Sequence, residues 1–111
     1  MITDPKIQKM IREALPGIVK TIDKTANNPE AKPANRIKAV ELLLRVALSP
    51  SNHPVNTAAL KSNAEAALVR LVPFLTGVVK SNKHGRNYLK AVQALLLIAK
   101  LGHTEALDVF E

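Results

Sequence analysis

The chain is expected to be all-α, built as two stacked α-hairpins, and three observations carry that expectation. The first is an internal repeat: Ile37-Lys-Ala-Val-Glu-Leu-Leu-Leu-Arg-Val-Ala47 returns as Leu89-Lys-Ala-Val-Gln-Ala-Leu-Leu-Leu-Ile-Ala99. The match extends backwards, since Leu15-Pro16-Gly17-Ile18-Val19 corresponds to Val72-Pro73-Phe74-Leu75-Thr76. Each unit is therefore a helix, a loop and a second helix. The second observation is composition: 47% of residues are hydrophobic but only 3% are aromatic, so the core must be Leu, Ile, Val and Ala. Such a core favours helix packing over a β-sandwich. The third is spacing, because apolar residues recur at helical intervals throughout.

A first helix is expected to start at Thr3 or Asp4 as cap, with Pro5 at its first position, and Ile7, Met10, Ile11 and Leu15 recur along it at helical spacing. Pro16-Gly17 predicts a break or kink, followed by a fresh helical stretch over Ile18, Val19 and Ile22. Ala26 to Pro33 is a loop by composition, and Pro33 or Ala34 opens the first signature helix, which ends at Ser49-Pro50. A second loop, Ser51 to Asn56, leads into a long helix from about Thr57 that carries Leu60, Ala64, Ala67, Leu68 and Leu71 and continues past Pro73 to Val79. Ser81 to Gly85 is a third loop. The second signature helix runs from Arg86 to Leu101, closed by Gly102, and Thr104 caps a short last helix whose Leu107 and Phe110 fold back.

This amounts to about five helices plus a short C-terminal one. The 111 residues form a single domain, with unit 1 at about 5–49, unit 2 at about 57–102 and the C-terminal helix at 104–111. The stripe at 37, 40, 43, 44 and 47 and its equivalent at 89, 92, 95, 96 and 99 are each too wide for one hairpin to cover. Stacking the hairpins would bury both. Where the copies differ, Arg45 becomes Leu97 and Leu42 becomes Ala94, leaving the second signature helix apolar almost all round. Packing on several sides, or against another copy of the chain, is the expected consequence, and homo-oligomerisation would cover the ends of so short a stack.

Charge is the other informative property. The net charge is +7, and from Ala66 through Thr104 there is no acidic residue while Arg70, Lys80, Lys83, Arg86, Lys90 and Lys100 all fall there. An anionic partner is implied, nucleic acid first and an acidic protein surface second, although a basic surface also simply keeps a small domain soluble. The candidate binding constellation is Lys80, Lys83, His84, Arg86, Asn87, Tyr88 and Lys90, around the start of the second signature helix. Lys83 and Arg86 are suited to phosphate, Arg86 with fork geometry, and Tyr88 to stacking on a base or to packing. Lys32, Arg36 and Lys38 occupy the equivalent corner of unit 1 and would extend the ridge.

No catalytic constellation is legible, so no enzymatic activity and no cofactor are expected. There is no cysteine, no Gly-x-Ser-x-Gly elbow and no phosphate-cradling glycine loop. His53, His84 and His103 are isolated in loops, which argues against a metal site, and Asp4, Glu13, Asp23, Glu30 and Glu41 read as solvated carboxylates. The longest apolar runs fall well short of the roughly 20 residues of a membrane span. The N-terminus lacks the basic and then apolar pattern of a signal peptide. A cytoplasmic protein without a membrane partner is expected.

Repeated units of this length resemble α-hairpin repeats of the HEAT or armadillo kind, which bind and seldom catalyse. Within unit 1, Glu13-Ala-Leu-Pro16, Thr21-Ile22, Pro33-Ala-Asn-Arg36-Ile-Lys-Ala39 and Leu42-Leu-Leu44 resemble a helical segment of bacteriophage terminase small subunits. That resemblance spans about a third of the chain. It implies a phage or mobile-element protein, an accessory of DNA packaging, that forms an oligomer and binds DNA. No helix-turn-helix accompanies it. Leu101-Gly-His-Thr-Glu-Ala-Leu107 with Phe110 is similar to the middle of a tetratricopeptide unit, without that family's upstream aromatic positions.

Overall fold

The computed structural model describes residues 4–49, 58–81 and 85–110. Among them the chain forms four α-helices, α1 (Pro5–Ala26), α2 (Pro33–Leu48), α3 (Ala58–Ser81) and α4 (Arg86–Lys100), and a C-terminal 3₁₀ helix (Thr104–Phe110). The all-α class is as expected. The expected Ser51–Asn56 loop, and His53 within it, lie outside the described residues.

Local chemistry sets the ends of these helices. The Asp4 carboxylate accepts a hydrogen bond from the Lys6 backbone N–H at 2.9 Å, and Pro5 fills the position where a missing N–H costs nothing. Pro33 opens α2 in the same way. Beyond α2, Ser49 leaves the helical region with ψ 145 and its hydroxyl donates to the Arg45 carbonyl at 2.7 Å. Gly102, at φ 111, ends α4 in a conformation that a side chain would strain.

Pro16 does not divide the first helix. α1 is continuous through it, so the two stretches expected on either side are one element. Proline removes a single hydrogen bond and crowds the preceding turn, and both Pro16 and Gly17 sit on the exposed side. Leu15, Val19, Ile22 and Ala26 meanwhile keep one face of the helix on the core. Pro73 is carried inside α3 likewise.

The helices pack in two layers. α1 touches α2 and α3, α4 touches α2 and α3, α2 touches α4, and among the described residues α1 and α4 do not meet. The core consists of the facing stripes of all four: Val40 and Leu43 from α2, Leu68, Leu71 and Leu75 from α3, and Leu95 and Ile98 from α4 are at most 1% exposed. Fully burying each such side chain contributes about 1.5–3 kcal/mol.

The α2 stripe is buried as the sequence predicts, at Ile37, Val40, Leu43, Leu44 and Ala47. The equivalent α4 stripe is not. Leu89 and Leu96 are 68% and 51% exposed, Val92 and Ala99 are half-buried, and the buried set is Ala91, Ala94, Leu95 and Ile98. α4 has thus turned by one residue, about 100°, relative to its copy. The copies differ at the position that turns inward, where α4 carries Ala94 and α2 carries Leu42, which is 44% exposed. The small residues Ala91 and Ala94 let it approach closely, so they face inward and the bulkier Leu89 and Leu96 face out.

The 3₁₀ helix docks through buried Ala106 and half-buried Leu107 and Val109, while Phe110, expected to fold back, is 44% exposed. Among the described residues no helix is long and apolar enough to cross a membrane.

Candidate functional site

Of the residues singled out in the sequence, Lys80 and Tyr88 line one hollow, and Lys83 and His84 lie outside the described residues. Arg86 is exposed in the first turn of α4, behind Gly85 as N-cap, which supplies no side-chain bond to the helix start. Asn87 is half-buried. Tyr88 is half-buried too, packed against the core beside a hollow it shares with Val79, Lys80, Val109 and Phe110. The Lys90 ammonium lies 3.4 Å from the Glu41 carboxylate and links α4 to α2.

Arg36 is a structural residue. Its Nε–H donates to the carbonyl of buried Ala26 at 2.8 Å, and its guanidinium carbon sits 3.7 Å from the centroid of the Phe74 ring. One side chain of α2 thereby holds the end of α1 and a turn of α3. Burial pushes its pKa below the ordinary arginine value. Lys32 and Lys38 remain exposed, so the ridge expected over Lys32, Arg36 and Lys38 loses its middle member.

Several carboxylates and one histidine are likewise engaged. Asp4 caps α1, Glu41 pairs with Lys90, and Asp23 is bound on two sides, so these three are not merely solvated. His103 is not isolated: its Nε2 lies 2.6 Å from the Glu65 carboxylate on α3, and its Nδ1 lies 3.8 Å from Glu105. It fastens the start of the 3₁₀ helix to α3. Among the described residues no group of three or more His, Cys, Asp or Glu is arranged to hold a metal ion.

A further meeting of charged side chains lies between α1 and α3. A hollow of about 610 Å³ is lined by Lys20, Asp23, Lys24, Asn27, Asn28 and Arg70. An adjoining hollow of about 270 Å³ shares Lys20, Asp23 and Arg70 and continues past Val19 and Pro16. Together they make one trough along the α1–α3 seam. Lys20 and Lys24 lie one turn apart on α1 and are exposed, so both reach the same side. Arg70 projects from α3, 2.8 Å from Asp23. The other oxygen of Asp23 accepts from the Asn27 amide at 2.5 Å. Three cations thus face one carboxylate, and Arg70, its side chain 57% exposed, keeps N–H donors beyond the one given to Asp23.

Permanent cations and side-chain amides along an open trough bind anionic groups by charge and hydrogen bonding. No nucleophile beside a base lines it. Sequence reasoning missed Lys20, Lys24, Asn27 and Arg70 as a set. A faint signal existed, since Lys20, Lys24 and Asn27 share a helix face at i, i+4 and i+7, but nothing in the sequence joins Asp23 to Arg70 across 47 positions. No family model, no curated protein and no solved structure matches the chain.

Proposed function

We propose that the protein is a non-catalytic helical binding module that holds nucleic acid along the α1–α3 trough. The observation that carries this reading is the meeting of Lys20, Lys24 and Arg70 in one open hollow between α1 and α3, in a chain of net charge +7. Phosphate contacts of this kind fix a duplex or strand without reading its sequence. With no aromatic side chain in the trough, affinity rests on charge.

The two-layer packing supports stacked α-hairpins as the architecture, and the resemblance of residues 11–49 to terminase small subunits supports DNA, in a phage or mobile-element setting inside the cell, with several copies acting together. The test is a titration of the protein against labelled random-sequence duplex and single-stranded DNA and RNA at several salt concentrations, with its mass in solution recorded alongside. Three phosphate contacts give a slope of log K against log salt near −2.7 on duplex DNA, from about −0.9 per contact. Binding that ignores salt, or no binding at low salt, would remove the reading.

A further inference from the structure

A second basic surface lies on the other layer, between the two signature helices, and its chemistry differs from that of the trough. A groove of about 340 Å³ runs along the α2–α4 seam, with Leu44, Ala94 and Leu97 lining it together with Glu41, Arg45 and Lys90. Leu48, one turn beyond Leu44 on α2, is 41% exposed and extends the apolar strip. On α4, Leu89 and Leu96 stand two turns apart on one side, 68% and 51% exposed. They are the side chains that the turn of α4 has moved out of the core. Lys38, Arg45, Arg86 and Lys100 are exposed on these same two helices, and Glu41 is the only carboxylate of either helix, already engaged by Lys90.

We infer that the outward face of α4 docks an acidic amphipathic helix of a partner protein, its apolar side on Leu89 and Leu96 and its carboxylates on Arg86 and Lys100, with Arg45 across the groove. Charge complementarity selects this occupant. A second copy would bring the same cations against themselves, since an isologous contact places each patch on its own likeness. A nucleic acid would gain nothing from two exposed leucines and would find no aromatic ring on which to stack a base. A helix laid along the outward face of α4 meets both requirements at once, with apolar anchors at i and i+7 and acids on the flanks. Only the trough is used by the proposed nucleic-acid contact, so the protein could hold both partners together.

The test uses the full ¹⁵N-labelled chain titrated with a synthetic peptide of about 14 residues, four helical turns, carrying leucines at i, i+3 and i+7 and glutamates elsewhere. A control peptide replaces each glutamate by lysine. The expected result is perturbation of the amide resonances of Leu89, Gln93, Leu96 and Lys100 by the acidic peptide alone. Binding should weaken about tenfold or more in the doubly substituted variant Leu89→Ala/Leu96→Ala, which folds normally because both side chains are exposed. It should be unchanged in Lys20→Ala/Lys24→Ala, which separates failure here from failure of the nucleic-acid reading. Four results would overturn the assignment: no perturbation at about 1 mM peptide, equal binding of the lysine peptide, a DNA oligonucleotide that perturbs these same residues, or a dimer in solution that the leucine variant abolishes.

Discussion

Replacing Arg36 by alanine should damage stability and spare binding. The side chain gives a hydrogen bond from a charged donor to the carbonyl of Ala26, a residue with no exposed surface, and lies 3.7 Å over the Phe74 ring. The first contact is worth about 1.5–3 kcal/mol and the second about 0.5–2 kcal/mol. They share one side chain and do not simply add, so Arg36→Ala is expected to cost about 2–4 kcal/mol out of the roughly 5–15 kcal/mol typical of a domain. For a chain of this size that lowers Tm by roughly 10–30 °C. Thermal melts followed by circular dichroism give the number directly. Arg36→Lys should fall between the two, because it keeps the charge but loses the planar group that lies on the ring. Nucleic-acid affinity of the folded variant, measured well below its Tm, should be unchanged. An Arg36→Ala protein that melts with the wild type but binds weakly would refute the argument and restore Arg36 to the binding surface.

Other substitutions probe the remaining contacts. Leu43→Asp and Leu95→Asp should each unfold the chain, since both sites are at most 1% exposed, whereas Leu96→Asp at the exposed neighbour should change stability by no more than about 0.5 kcal/mol in a denaturant melt. Asp23→Asn removes an ion pair whose side chains are 29% and 57% exposed, costing less than about 1 kcal/mol. By removing the one carboxylate of the trough it should raise nucleic-acid affinity and leave the salt slope near its wild-type value, as a filter-binding series would show. His103→Ala should speed hydrogen exchange at the Ala106 amide, which bonds to the His103 carbonyl at 3.1 Å, and leave Leu68 and Leu71 unaffected.

The fold was legible where a residue acts on its own backbone. Pro5, Pro33, Ser49 and Gly102 mark helix ends because their φ constraints and hydrogen-bonding groups act within a turn. Pro16 misled for the complementary reason: a proline is a local penalty, and the contacts of Leu15, Val19, Ile22 and Ala26 with the core outweigh it. The register of α4 was hidden because an internal repeat carries the pattern of its copy but not its neighbours. Leu96 corresponds to buried Leu44, yet α4 packs against the 3₁₀ helix where α2 packs against α1, and Leu96 is 51% exposed.

The candidate site was legible only as charge. Excess cations are visible in composition, and so is the candidate loop at the start of the second signature helix, but which cations meet depends on contacts between helices. Arg36 reads as a surface cation until Phe74, nearly forty positions later, is placed beneath it. Lys20 and Lys24 read as ordinary solvated lysines until α3 brings Arg70 alongside. Tyr88, suited by type to stacking or packing, is half-buried beside Val79 and Val109.

The trough is tested most directly by the salt dependence of duplex DNA binding in two doubly substituted proteins, Lys20→Ala/Lys24→Ala and Arg86→Ala/Lys90→Ala. Each removes two cations, so net charge is lowered equally and only position differs. If the α1–α3 trough holds the phosphates, the first variant binds more weakly with a slope shallower by about two, and the second keeps the wild-type slope. A slope lost from the second variant and kept in the first would contradict the account and move nucleic acid to the start of α4.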